Sequence, residues 1–238
     1  MDILNLSDAH VRFFRHNGFV KLPTVLPPDR VDRLNAAVLA DVAAEVAPVV
    51  RNAEGRVIRL SRLLDRDPVF FDTVGSAQVV GPLTSLLGPH IEVVLNRHNH
   101  ATLNLSGKRD TFHRDVVQWT RSLVTVIFYL EATTLDNGCT HVVPGSQLWP
   151  GVETLYNLQN QDAIQQSGIL DQAVPVPMPA GGMLAIDSLI FHRIGDNITD
   201  RSRMSMTVGY HSVDELLGEA PAGRRLIQGQ RIYMGNDR

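Results

Sequence analysis

The sequence has 238 residues, of which 44% are hydrophobic and 20% are charged, as in average soluble globular proteins. This composition excludes disordered and fibrous classes, and the length predicts a single domain over residues 1–238. The net charge of −3, from 22 Lys and Arg against 25 Asp and Glu, disfavours nucleic acid as a partner.

The cellular compartment is predicted from the cysteine content and the apolar runs. Cys139 is the only cysteine, so the chain cannot form an internal disulfide. The first residues lack the pattern of a secretory signal, and the longest apolar runs, such as residues 123–130, are too short to span a bilayer. We therefore expect a cytoplasmic protein without a membrane partner, either a monomer or a weak homodimer.

Residues 1–90 predict supporting helices and the first strands. Ser7 is a preferred N-cap and Gly18 favours the left-handed conformation that ends a helix, so a first helix is expected between them. A short strand over residues 19–22 follows. Pro27 and Pro28 then predict the start of a second helix, whose apolar residues recur at spacings of three and four until Pro48.

The next predicted elements are a strand over residues 57–60 and two helices over residues 67–74 and 76–87. From residue 91 onward β patterning dominates, and residues 91–238 are expected to form a jelly-roll core. The predicted strands cover residues 91–104, 111–117, 123–131, 140–144, 182–187, 189–192, 203–211 and 226–234. Helices followed by a run of strands predict an α+β protein that is mainly β.

One long connection interrupts the predicted strands. Residues 147–179 are polar, rich in Gln and then rich in Pro. Because connections of this length inside compact domains are often lids, we predict that this segment covers a site. The alternative is a solvated loop without a function.

Two histidines and an aspartate form a candidate metal site. His113 and Asp115 are two residues apart, and on a strand such residues project from the same face. His192 follows an apolar run in a later predicted strand. A surface pair and a core histidine are the separate alternatives, but together the three residues match the two-histidine, one-carboxylate set of non-haem iron(II), which leaves three coordination positions open.

Arg203 and Ser205 lie on one face of the strand predicted over residues 203–211. A guanidinium pairs bidentately with a carboxylate, and a serine hydroxyl adds a directional donor. The two residues therefore indicate a carboxylate site, whereas the alternative is an edge strand with a solvated face.

These residues and several shorter motifs resemble the phytanoyl-CoA dioxygenase family of iron(II)- and 2-oxoglutarate-dependent oxygenases. The similarity covers most of the chain. Its motifs are Leu6-Ser7, Asn17-Gly18-Phe19-Val20, Asp67-Pro68, Leu86-Leu87-Gly88-Pro89, His113-Arg114-Asp115, Asp136-Asn137-Gly138-Cys139, Pro144-Gly145-Ser146, and His192 with Arg203.

The resemblance implies a distorted double-stranded β-helix (jelly roll) with N-terminal supporting helices. It also implies catalytic iron(II) held by His113, Asp115 and His192, with the distal carboxylate of 2-oxoglutarate held by Arg203 and Ser205. O2 is the second cosubstrate, and ascorbate supports such enzymes in vitro. Family members that halogenate have a small residue in place of the metal-binding aspartate, so Asp115 favours hydroxylation.

Further site residues are expected in a polar row on the strand predicted over residues 91–104. We predict that Thr102 and Asn104 contact the cosubstrate and that His98 and His100 contact the substrate, with a solvated outer face as the alternative. Trp119 and Arg121 are predicted to bind substrate, with ordinary rim residues as the alternative. Arg59 and Arg62 are predicted to lie on a solvated charged face.

The predicted activity is hydroxylation of an aliphatic carbon of a small polar metabolite, such as an amino acid or a natural-product intermediate, with release of succinate and CO2. The short stretch after the strand of Arg203 leaves little protein to wrap a long acyl chain. Desaturation, cyclisation or epimerisation at the same iron centre is the main alternative. A zinc hydrolase with the same three ligands and a non-catalytic jelly-roll binding module are further alternatives, and Arg203 and Ser205 argue against the hydrolase.

Overall fold

The computed structural model describes residues 5–104, 110–117, 123–150, 154–213, 219 and 221–231. The α-helices within these ranges are α1 Asp8–Asn17, α2 Pro28–Ala43, α3 Pro68–Val74, α4 Ala77–Leu87 and α5 Asp162–Ser167. In the described part of the chain, no helix has both the length and the apolar character needed to cross a membrane.

The strands of the described ranges form two antiparallel sheets. In chain order they are β1 Phe19–Lys21, β2 Val49–Arg51, β3 Val57–Ser61, β4 Ile91–Val94, β5 Asn99–Asn104, β6 Val124–Tyr129, β7 Thr140–Val142, β8 Val174–Val176, β9 Met183–Asp187, β10 His192–Ile194, β11 Arg203–Ser212 and β12 Arg224–Gln228. The large sheet has the order β1-β9-β6-β11-β5-β3-β2, with β4 paired to β11 and β12 paired to β4. The small sheet has the order β10-β7-β8.

The first helix follows the local signals of its sequence. The Ser7 side chain accepts a hydrogen bond from the backbone N–H of His10, and Gly18 has φ 79° and donates its N–H to the Phe14 carbonyl. Both ends of α1 are therefore capped as predicted. β1 then joins the large sheet as the edge strand beside β9.

The second helix is shorter than predicted. α2 ends at Ala43, and Glu45 adopts a left-handed conformation with φ 51°, which turns the chain away from the helix axis. Val46 is 42% exposed, so the last part of the predicted apolar stripe has no core to cover. The chain instead enters β2, which pairs with β3.

Side chains of the large sheet alternate between its two faces, and each face packs against a separate apolar layer. Val126, Phe128 and Met206 contribute to the core that packs against α1–α4. Ile127 and Tyr129 contribute to a second core with residues of the small sheet. Because successive side chains of a strand point to opposite faces, the second layer also contains the inward-facing polar residues of the site. The chain therefore folds as a mainly β jelly roll with helical support, as predicted.

Several predicted strands differ from the structure. Residues 189–191 are not part of a strand, so the strand predicted over residues 189–192 is wrong and β10 begins only at His192. The strand expected over residues 91–104 is divided into β4 and β5, and His98 in the break has φ 46°. The strand expected over residues 111–117 is reduced to one isolated bridge between His113 and His192. A longer ladder is prevented because the N–H groups of Asp115 and Val116 both donate to the Ser188 carbonyl, at 2.8 and 3.2 Å.

The segment over residues 147–179 contains regular structure. Its Pro-rich end forms β8 in the small sheet, and α5 lies before it. Leu158 and Ile164 from this segment pack against Val143 and Phe191. The segment is thus anchored beside the strand of His192, and its opening and closing stay a prediction.

Candidate functional site

The two predicted histidines and the aspartate come together between the two sheets. The backbones of His113 and His192 exchange two N–H···O bonds of 2.9 Å, which places the residues directly opposite each other. One ligand atom from each of His113, Asp115 and His192 lies within 4.8 Å of the others. This cluster can hold one metal ion between three side chains from two chain segments.

Backbone carbonyls orient both imidazoles. His113 Nδ1 lies 3.0 Å from the Thr111 carbonyl oxygen, and His192 Nδ1 lies 3.0 Å from the Ile190 carbonyl oxygen. Since a carbonyl can only accept a hydrogen bond, both Nδ1 atoms carry the hydrogen in these contacts. Each Nε2 therefore keeps a lone pair that can bind a metal ion.

Two hydroxyl groups orient the carboxylate. Thr125 Oγ1 donates to Asp115 Oδ2 at 2.7 Å, and Thr125 Oγ1 lies 2.7 Å from Ser188 Oγ. Because the threonine has one hydroxyl hydrogen, Ser188 is the donor in the second bond. Asp115 Oδ1 is left facing His192 Nε2 at 3.8 Å. Thr125 was not among the predicted site residues, although it is a polar residue near the start of the otherwise apolar strand β6.

The protonation states suit metal binding. Burial, together with the nearby charge of His113, lowers the pKa of His192 to about 4. Burial alone would raise the pKa of Asp115, but His98, His192, His113 and the Thr125 hydrogen bond hold it below its ordinary value. At neutral pH the site thus presents a neutral imidazole and a carboxylate, which are the forms that bind metals.

The predicted polar row, which lies on β5 and on the residues just before it, contributes side chains to two different parts of the site. His98 Nδ1 lies 3.6 Å from Asp115 Oδ1, and both His98 and His100 line a cavity that borders Asp115. Thr102 lies opposite Ser205 of β11, and the backbone of Asn104 lies opposite that of Arg203. The two histidines are thus near the predicted metal ligands, whereas Thr102 and Asn104 are in register with the predicted carboxylate site.

Arg203 is buried, with 2% of its surface exposed. Its Nη2 donates to the Gly138 carbonyl at 2.6 Å, its Nη1 lies 3.5 Å from Ser205 Oγ, and its Nε is buried without a hydrogen-bond partner. Within the described ranges no carboxylate forms an ion pair with this guanidinium. A buried cation with an unused donor fits a bound carboxylate such as the distal group of 2-oxoglutarate.

A cavity of about 670 Å³ borders Asp115. It is lined by residues of β3, the β4–β5 connection and the 147–179 segment, including Arg59, Arg62 and Tyr156. Arg59 and Arg62 are exposed, as predicted for solvated residues, and both also contribute to the cavity wall. The predicted residues Trp119 and Arg121 lie outside the described residues, and their roles stay predictions.

Comparison with known proteins gives consistent matches. The profile of the phytanoyl-CoA dioxygenase family matches residues 14–205. The dioxygenase sphC of Aspergillus fumigatus is 29% identical over 114 residues, which is 43% of this chain and 28% of that protein. The dioxygenase af480 of the same species is 26% identical over 224 residues, which is 90% of this chain and 69% of that protein.

The fold is also found among solved structures. SnoK, described as a non-heme alpha-ketoglutarate-dependent carbocyclase from nogalamycin biosynthesis, superimposes with a TM-score of 0.73 at 20% identity. The match covers 93% of this chain and 96% of SnoK. At this identity the similarity establishes the shared fold.

Proposed function

The chain belongs to the phytanoyl-CoA dioxygenase family of iron(II)- and 2-oxoglutarate-dependent oxygenases, and from this premise we propose that it hydroxylates an aliphatic carbon of a small polar metabolite. Succinate and CO2 are the coproducts. The observation that carries the proposal is the cluster of His113, Asp115 and His192, whose ligand atoms lie within 4.8 Å of one another.

In this proposal the three clustered side chains hold the iron through two imidazole Nε2 atoms and one carboxylate oxygen. Arg203 and Ser205 of β11 bind the distal carboxylate of 2-oxoglutarate, and Thr102 and Asn104 of the neighbouring strand β5 are further cosubstrate contacts. Iron(II) with bound 2-oxoglutarate supplies the chemistry that splits O2. The contribution of the chain is to orient the ligands, hold the cosubstrate and position the substrate.

The substrate is proposed to lie in the cavity beside Asp115. His98 and His100 are its contacts from the polar row, with Trp119 and Arg121 as additional candidates. The wall of this cavity is rich in charged and hydrogen-bonding groups, which favours a small polar molecule over a long acyl chain. We also propose one functional domain over residues 1–238, because β1–β3 pair into the same sheet as β5, β6, β9 and β11.

Cyclisation is the second candidate reaction, because SnoK is described as a carbocyclase and covers nearly the same length of fold. The carboxylate of Asp115 favours hydroxylation over halogenation, whereas hydroxylation and cyclisation would use the same three ligands and are distinguished by the mass of the product. A zinc hydrolase or a binding module would give no role to the buried and unpaired Nε of Arg203.

The first experiment measures succinate after apo-protein is mixed anaerobically with iron(II), ascorbate and 2-oxoglutarate and then exposed to O2. We expect slow succinate formation without substrate and faster formation when a true substrate is added. His113→Ala and a zinc-loaded sample serve as controls and should form none. Succinate formation that is equal in wild type and His113→Ala would contradict the proposal.

The reaction type is determined by mass spectrometry of the product once a stimulating compound is found. A product that has gained one oxygen atom supports hydroxylation. A product that has lost two hydrogen atoms indicates cyclisation or desaturation, and an isomer of unchanged mass indicates epimerisation.

A further inference from the structure

The cavity beside Asp115 is lined by more arginines than acidic residues. Three arginines line it, namely Arg59, Arg62 and Arg97. The acidic residues of the lining are Asp65 and Asp115. Under the proposed function the charge of Asp115 is used to bind the metal ion, so Asp65 is the acidic group left to offset three guanidinium groups.

Asp65 is already paired with one of them. Arg62 Nε lies 2.9 Å from Asp65 Oδ2, and the two residues are three positions apart in the sequence. Arg59 and Arg97 have neither an ion pair nor a side-chain hydrogen bond to any residue in the described ranges. Two arginines of the cavity wall are therefore available to a ligand.

The strand register places Arg59 on the face of the sheet that carries the site. Arg59 of β3 is opposite Thr102 of β5, and Ser61 is opposite His100. Residues directly opposite each other share a face of the sheet, so Arg59, Thr102 and His100 face the same side. Burial lowers the pKa of His100 to about 4, and the nearby positive charge of Arg59 is the next largest cause.

The cavity lining also contains an aromatic residue, Tyr156. Tyr156 stacks on His113 with 5.9 Å between ring centroids and an interplanar angle of 25°. The tyrosine is nevertheless 62% exposed and contributes to the cavity lining. The lining of the cavity thus offers a bound molecule both Tyr156, which stacks on His113, and the two arginines.

We propose that Arg59 and Arg97 bind an anionic group of the substrate, a carboxylate or a phosphate. The inference rests on the proposed function and narrows the substrate class from small polar molecules to small anions. A guanidinium pairs with carboxylate or phosphate through two parallel hydrogen bonds. Anchoring the anionic end at these residues fixes which carbon lies next to the metal ion.

The binding test uses enzyme loaded anaerobically with iron(II) and saturated with 2-oxoglutarate, with inorganic phosphate as the probe. The saturating 2-oxoglutarate keeps phosphate away from Arg203. Isothermal titration should show saturable phosphate binding to the wild type and a loss of affinity on the order of tenfold in Arg59→Ala and in Arg97→Ala. Arg59→Lys should retain an intermediate affinity because it keeps the charge and loses the planar fork.

Arg56→Ala is the matched control, since it removes the same charge from the exposed β2–β3 connection outside the cavity. We expect wild-type phosphate affinity for this variant. Wild-type affinity in Arg59→Ala and Arg97→Ala as well would overturn the inference. Failure of the protein to load iron(II) and 2-oxoglutarate would instead overturn the proposed function and this inference with it, so the two failures are distinct.

The substrate test compares small carboxylates with their own neutral amides as stimulators of succinate formation. The acids should stimulate more strongly than the amides in the wild type. Arg59→Glu should remove this preference by raising the KM for the acids and not for the amides. Equal stimulation by acids and amides in the wild type would contradict an anion site.

Discussion

The hydrogen-bond chain from Ser188 through Thr125 to Asp115 shows how single residues prepare the site. The carboxylate has two oxygens, and the chain occupies Oδ2 and leaves Oδ1 directed toward His192. Backbone carbonyls do the same for the two imidazoles. The predicted ligand atoms are thus held in position by hydrogen bonds within the protein, and these bonds do not require a metal ion.

Thr125→Val should weaken metal binding while preserving the side-chain shape. The variant leaves Asp115 Oδ2 without its donor, and loss of such an orienting contact typically costs 10–100-fold in metal affinity, so a drop of roughly that size is expected. Equilibrium titration with iron(II) under anaerobic conditions measures it. Thr125→Ser keeps the hydroxyl and should bind nearly as well as the wild type; if the valine variant did so too, the hydroxyl would have no part in orienting the ligand.

Arg203→Ala should weaken 2-oxoglutarate binding. Losing one partner of a buried charge-assisted pair costs about 2–5 kcal/mol, so the dissociation constant should rise by roughly thirty-fold or more. Titration of the iron-loaded protein with 2-oxoglutarate measures this change. Arg201→Ala removes an exposed arginine two residues away and should leave the affinity unchanged. An unchanged affinity in Arg203→Ala would show that the cosubstrate carboxylate binds elsewhere.

Among the helices and strands, the sequence predicted correctly those elements whose ends are determined by contacts between residues close in the sequence. α1 has the expected ends because Ser7 and Gly18 cap it through bonds to residues at most four positions away. The strand predicted over residues 111–117 does not form, because the Ser188 carbonyl accepts hydrogen bonds from two successive backbone N–H groups, those of Asp115 and Val116. No pattern within those seven residues carries information about that distant carbonyl.

The same distinction applies to the site. The spacing of His113 and Asp115 is a local pattern, and the structure brings both residues together with His192. The roles of Arg59 and Tyr156 depend on which strand lies beside β3 and on how the 147–179 segment folds over His113. Such pairings are set by long-range packing. The sequence around Arg59 and around Tyr156 is that of an ordinary solvated segment.

The 147–179 segment should respond to substrate. Leu158 and Ile164 anchor it against Phe191, whereas Tyr156 is exposed at the cavity. Closure over a bound molecule would exclude water from the reacting centre. We expect slower backbone hydrogen exchange around Tyr156 when 2-oxoglutarate and a stimulating substrate are bound together. Exchange that is the same in the free and ternary states would identify a static surface segment.

For the whole molecule, the proposed metal site joins two segments that are distant in the sequence. His113 and Asp115 precede β6, whereas His192 begins β10 of the small sheet. A metal ion held by all three residues binds the folded chain and has no preformed site in the unfolded chain. Metal binding should therefore stabilise the entire fold and not only the residues that contact the ion.

The expected size of this stabilisation follows from mass action. At a free metal concentration about 100 times the dissociation constant, the free energy of unfolding rises by about 2.7 kcal/mol. For a chain of this length that corresponds to a Tm increase of roughly 5–10 °C. Calorimetry of the apo-protein and of the protein with iron(II), both under anaerobic conditions, measures the shift. His192→Ala removes a ligand from the small sheet and should lose most of the increase, and a full increase in that variant would place the metal ion away from this cluster.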